Sequence, residues 1–101
     1  MVQIIRTDEY ASWSLSLRDD RAKAKIALRI DRLAFGNPGD VKPIGDGVSE
    51  MRIDYGPGYR VYYGKRGNDA ILLLCGGTKN GQSRDIKQAK AIFEKWKKNR
   101  S

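Results

Sequence analysis

The sequence predicts an α+β domain on three observations: helical spacing before residue 35 and after residue 82, a middle stretch that alternates apolar and charged residues, and a length of 101 residues that suits one core. Val2 to Arg6 reads as a short first strand. Thr7 stands where an N-cap is needed, with Asp8 and Glu9 in the first turn favouring the helix dipole. Tyr10, Trp13, Ser14 and Leu17 then keep i, i+3, i+4, i+7 spacing, so a first helix ends near Arg18. Asp19 or Asp20 caps a second helix to about Ala34. Its stripe Ala22, Ile26, Ile30 and Leu33 faces the core, while Arg21, Lys25, Arg29 and Arg32 face outward. Two helices joined so tightly are expected to form a hairpin packed on a sheet.

Phe35-Gly36-Asn37-Pro38-Gly39-Asp40 is dense in turn formers and closes the helical part. Val41 to Ile44 reads as a short, irregular strand, and Gly45-Asp46-Gly47 as a turn. Val48 to Tyr55 and Tyr59 to Lys65 form a hairpin with two unlike faces: Met51, Ile53, Tyr55, Tyr59, Val61 and Tyr63 on one, Glu50, Arg52, Asp54, Arg60 and Tyr62 on the other. A three-residue connection, Gly56-Pro57-Gly58, sets Tyr55 opposite Tyr59, Asp54 opposite Arg60 and Arg52 opposite Tyr62. Gly67-Asn68-Asp69 is the next turn. Ala70 to Cys75 is apolar throughout, which predicts a central strand buried on both faces and ended by Gly76-Gly77. A last helix starts near Gln82 or Ser83, with Asp85 in its first turn and Ile86, Ala89, Phe93 and Trp96 facing inward. The expected architecture over residues 1–101 is a single domain. It has an N-terminal strand and helical hairpin, a curved, mainly antiparallel sheet of about four strands, and a C-terminal helix.

Composition removes several classes of function. The longest purely apolar run is the six residues Ala70 to Cys75, against the roughly 20 that span a bilayer, and Met1–Asp8 has no signal-peptide pattern. A cytoplasmic protein without a membrane partner is expected. There is no His, and Cys75 is the one cysteine. An intrachain disulfide is therefore impossible, and a zinc site or a thiol nucleophile with a His base is not expected. Gly45-x-Gly47 lacks a third glycine at dinucleotide spacing, and Gly77-Thr78-Lys79 lacks the Walker pattern, so no cofactor is implied.

The charge points to a polyanion or an acidic protein partner. Net charge is +8, and residues 79–101 hold eight basic residues against two acids. On the second face of the hairpin, Arg52 and Arg60, with Lys79 at the exit of the last strand, are suited to hold a phosphate. Cleavage of RNA by its own 2′-hydroxyl would need a base, for which Glu50 or Lys79 is a candidate. It would also need an acid near the leaving oxygen, for which Tyr62 or an arginine is a candidate, and it would need no metal. Lys42, Lys65, Arg84 and Lys87 are expected to extend the nucleic-acid contact. The alternative reading of the same residues is a solvated sheet face laced with cross-strand ion pairs.

The residues also carry a family resemblance. Trp13 with Leu17-Arg18-Asp19 and Arg21 to Ile26, the segment Gly36 to Ile53, the hairpin Tyr55-Gly56-Pro57-Gly58-Tyr59-Arg60-Val61-Tyr62-Tyr63, and Leu72 to Lys79 with Gln82 and Asp85-Ile86 together resemble the RelE/ParE superfamily of type II toxins, more narrowly the HigB-like addiction-module killer proteins. The resemblance covers roughly residues 3–97. It implies a toxin neutralised by a cognate antitoxin, often of helix-turn-helix type, and for RelE-like members a ribosome-dependent endoribonuclease that cuts mRNA. Arg60 falls on the Tyr-Arg-Val strand position whose arginine contacts the scissile phosphate in such toxins. Arg52 and Lys79 fall near positions that carry basic or His residues there. This chain departs from that pattern in having no His and no tyrosine directly after the last strand. Two other readings stay open: a non-catalytic ParE-like inhibitor of DNA gyrase, and a basic nucleic-acid-binding module centred on the C-terminal helix.

Overall fold

The computed structural model describes residues 1–100, with Ser101 and the side chain of Arg100 outside the described residues; both belong to the basic C-terminal stretch noted above. The chain runs β1 (Gln3–Arg6), α1 (Asp8–Ser16), α2 (Asp20–Ala34), β2 (Val41–Gly45), β3 (Val48–Ile53), β4 (Tyr59–Arg66), β5 (Ala70–Thr78), a 3-10 turn (Lys79–Gly81) and α3 (Gln82–Arg100). The strands form one sheet in the order β1-β5-β4-β3-β2. β1 pairs with β5 in parallel and the other neighbours are antiparallel. The fold is α+β, as the periodicities predict, with five strands rather than about four. Val41–Gly45 is a full member of the sheet, and a register shift between Pro43 and Gly45 accounts for its irregular sequence.

Both helix starts follow from local chemistry. The Thr7 hydroxyl accepts from the Tyr10 amide at 3.1 Å and lies 2.9 and 2.8 Å from the Leu73 and Leu74 carbonyls, so one side chain caps α1 and ties it to β5. Asp19 caps α2, its Oδ1 accepting from the amides of Arg21 and Ala22. α1 and α2 lie on one face of the sheet, where Tyr10, Ile26, Ile30 and Leu33 meet Met51, Ile53, Val61, Tyr63, Ile71 and Leu73. α3 lies on the other, where Ala89 and Phe93 meet Val48, Tyr62, Leu72, Leu74 and Cys75. Ile71 and Leu73 enter the first core and Leu72, Leu74 and Cys75 the second, the alternation being broken at a register shift opposite Tyr62 and Tyr63, so β5 is apolar throughout Ala70 to Cys75.

Two expectations need correction. Gly76-Gly77 does not end β5, which continues to Thr78. These glycines serve close approach instead, since a Cβ on Gly76 would collide with the Trp13 ring and one on Gly77 with the Asp85 carboxylate. The hairpin register also differs by two residues: Ile53 pairs with Tyr59, Arg52 with Arg60, and Glu50 with Tyr62. Tyr55 leaves the ladder for a turn, its amide donating to the Ile53 carbonyl at 2.9 Å and its carbonyl accepting from the Gly58 amide at 3.1 Å, while its hydroxyl donates to Asp19 Oδ2 at 3.0 Å; the connection is the five residues 54–58. A shift of two preserves which face each side chain occupies, so the division into an apolar and a charged face stands.

Among the described residues, no helix is long and apolar enough to cross a membrane.

Candidate nucleic-acid interface

The face that carries Glu50, Arg52, Arg60 and Tyr62 is not uniformly solvated, because α3 covers one end of it. Under the first turns of α3 lie Glu50 and Tyr62, both fully buried. Tyr62 donates to Glu50 Oε2 at 3.1 Å, and Gln82 Nε2 donates to the same oxygen at 2.7 Å. Burial raises the Tyr62 phenol well above its ordinary range, and the Glu50 charge adds to this. Asp85 is buried beside them against Gly77, and desolvation raises its carboxyl while Arg84 opposes that shift. Cys75 completes the group as a buried thiol, pushed up to about 12 by burial and then by Asp85. At the end of an apolar strand it packs as a small buried hydrophobe.

The other end of the face is open. A groove of about 530 Å³ is lined by Asp40, Arg52, Asp54, Arg60, Lys79 and the Gly56-Pro57-Gly58 turn. Arg52 and Arg60 are direct cross-strand partners, which places their Cβ atoms about 5 Å apart. Like charges so placed repel, and each guanidinium has local acceptors. Arg52 Nε and Nη2 donate to Asp40 Oδ1 at 3.2 and 2.7 Å. Arg60 Nη1 donates to the carbonyls of Gly58 and Tyr59 at 3.1 and 3.2 Å. Gly58, at φ 79°, permits this fold-back, since a Cβ there would stand 3.3 Å from Arg60 Nη1 and 3.4 Å from the Cβ of Lys79. Among the described residues, two buried side-chain atoms lack hydrogen-bond partners: Arg60 Nε in the open half and Glu50 Oε1 in the covered half. The groove thus gathers three cations with two carboxylates, Asp40 and Asp54, and its guanidiniums offer directed N–H donors of the kind that suit an oxyanion.

Of the residues singled out from the sequence, Arg52, Arg60 and Lys79 are brought together at this groove. Glu50 and Tyr62 lie on the same face but beneath α3, and they do not line it. Lys42, exposed on β2, is the cross-strand partner of Glu50 and continues the face towards the sheet edge. Arg84 and Lys87 are exposed on the first turns of α3. Lys65 is not part of this surface. It stands at the far end of β4 opposite Ile71, beside a cavity lined by Leu33 and Pro38 on the α2 side. Reasoning from sequence missed Asp40 as part of the site and placed Asp54 opposite Arg60. The five-residue connection instead leaves Asp54 exposed at the groove. No group of three or more His, Cys, Asp or Glu side chains suited to a metal ion occurs among the described residues.

No protein-family model matches the sequence. The chain is 50% identical over 93 residues to an uncharacterized protein of Haemophilus influenzae, an alignment that spans 92% of this chain and 94% of that protein. Identity at this level over nearly the whole of both chains means that this protein belongs to the same family as the Haemophilus influenzae protein.

Proposed function

We propose that the protein is the toxin of a type II toxin-antitoxin pair, with a RelE-like fold, acting in the cytoplasm as a metal-independent endoribonuclease on mRNA held by the ribosome. The observation that carries this reading is the uncovered end of the sheet, where Arg52 and Arg60 face each other directly and Lys79 joins them in one groove. A fold gains nothing from opposing two like charges, whereas a pentacoordinate phosphate needs cations arrayed around it. Arg60 and Arg52 hold the scissile phosphate, and Lys79 stands beside the leaving oxygen. Asp54, an exposed carboxylate at the same groove, replaces Glu50 as the base for the 2′-hydroxyl, because Glu50 is sealed under α3. Tyr62 and Glu50 then act as supports of the groove floor. The ribosome supplies the positioning that a groove of cations lacks, and a cognate antitoxin, of helix-turn-helix type on the resemblance, masks the basic face.

Transcriptome-wide mapping of 5′ ends shortly after induction, beside a folded Arg60→Ala control, tests the reading. New ends confined to translated frames, present with wild type and absent with the control, are expected. Growth arrest without new ends would reject the nuclease and turn attention to DNA gyrase.

A further inference from the structure

Arg29 has the residue spacing of a solvent-facing helix position, yet its guanidinium reaches across to the strands. Nη1 donates to the Arg52 carbonyl at 2.6 Å, and Nη2 donates to the carbonyls of Pro38 and Asp40 at 3.1 and 3.2 Å. Gly39, at φ 71°, lets the loop close over it, since a Cβ there would sit 3.1 Å from Arg29 Nη2. The Arg52 amide in turn donates to the Asp40 carbonyl at 3.0 Å. Arg29 therefore joins the loop before β2 to β3 at the residue that carries the groove guanidinium.

The Asp40 carboxylate lies at the end of that clamp. Its Oδ1 takes the Nε and Nη2 donors of Arg52, one side of a planar group that has five N–H bonds. The remaining edge, Nη1 with the second Nη2 hydrogen, is a two-donor fork of the kind that matches a phosphate. An ion pair between exposed side chains is worth little to stability, but a carboxylate fixed by its own backbone removes rotational freedom from the arginine it holds.

We propose that Arg29 and Asp40 are positioning residues: Arg29 holds Asp40, and Asp40 aims the free fork of Arg52 into the groove. The inference rests on the groove being an anion site, as proposed above. The relay is tested by the mobility of the Arg52 Nε–H in NMR relaxation, together with tripolyphosphate affinity at fixed salt. Wild type and Asp40→Asn, which keeps an acceptor oxygen, are expected to show an ordered Arg52, with affinity in Asp40→Asn at least that of wild type because a negative charge leaves the groove. Arg29→Gln and Asp40→Ala are expected to show a mobile Arg52 and affinity lower by about tenfold, a modest misplacement cost. Because Asp40 is exposed, its alanine variant stays informative even if Arg29→Gln fails to fold. An Arg52 equally ordered in Asp40→Ala, tighter anion binding in that variant, or no binding by wild type would overturn the relay. The expected binding pattern in a chain that produces no new mRNA ends would keep the relay and remove the nuclease reading. New ends at wild-type yield from a folded Asp40→Ala would remove the relay and keep the nuclease.

Discussion

The two ends of a single sheet face behave as different materials. Glu50 and Tyr62 lie within two residues of Arg52 and Arg60 along the same strands and on the same side, but α3 covers the first pair and leaves the second open. In the covered half, Tyr62 and Gln82 both donate to Glu50 Oε2 while its Oε1 is buried without a partner, so the network holds structure at one carboxylate oxygen. In the open half, two arginines are cross-strand partners, one held by Asp40 and the other folded onto the Gly58 and Tyr59 carbonyls with its buried Nε unpartnered. A similar strand pattern thus yields a buried polar network or an open groove of charged side chains according to what lies above it.

The strongest way to break the contrast is to remove the cover. Phe93 is buried in the α3 core and its ring lies over Gly64, where a Cβ would stand 2.7 Å away. Phe93→Ala is expected to cost about 3–5 kcal/mol of stability in chemical denaturation. Next in size is Arg60→Ala. It should lower ribosome-dependent cleavage by about 100-fold, the order seen when one oxyanion donor is removed, while the melting temperature stays near that of wild type.

How far these elements were legible from the sequence divides along the same line. Thr7, Asp19 and the stripes of α2 and α3 declared themselves through capping chemistry and spacing, which act over a few residues. The face assignment survived a register error of two because side chains alternate with period two. The register itself depended on a backbone choice that alternation does not encode, a turn over Tyr55 to Gly58 with Gly56 and Gly58 at positive φ, which takes Tyr55 out of the ladder. Arg52, Arg60 and Lys79 could be grouped from strand alternation and the strand exit. That Glu50 and Tyr62 are sealed depended on where α3 crosses the sheet, and nothing near either residue encodes that. Asp40 and Arg29 were hidden for a similar reason, since one reads as a turn former and the other as a solvated helix position.

Smaller effects sharpen the comparison. Tyr62→Phe removes one donor to Glu50 while Gln82 remains, and it is expected to cost about 1 kcal/mol in denaturation with cleavage retained. The smallest effect is one of pH. Asp85 has its carboxyl raised in the folded state by burial, so its protonated form favours folding. That contribution is fully present below the unfolded carboxyl's titration and is lost as pH rises through the raised folded value. Asp85→Asn should therefore raise the melting temperature at neutral pH and change it little in acid. An equal gain at both would contradict the burial argument.

The most direct test of the whole account places neighbours on one strand against each other, using purified ribosomes carrying a defined mRNA and wild-type, Arg60→Ala or Tyr62→Phe protein, each shown to be folded by circular dichroism. Cleavage by wild type and Tyr62→Phe, with about 100-fold less by Arg60→Ala, is the predicted result. Cleavage that survives Arg60→Ala and disappears with Tyr62→Phe would contradict it and move the site beneath α3.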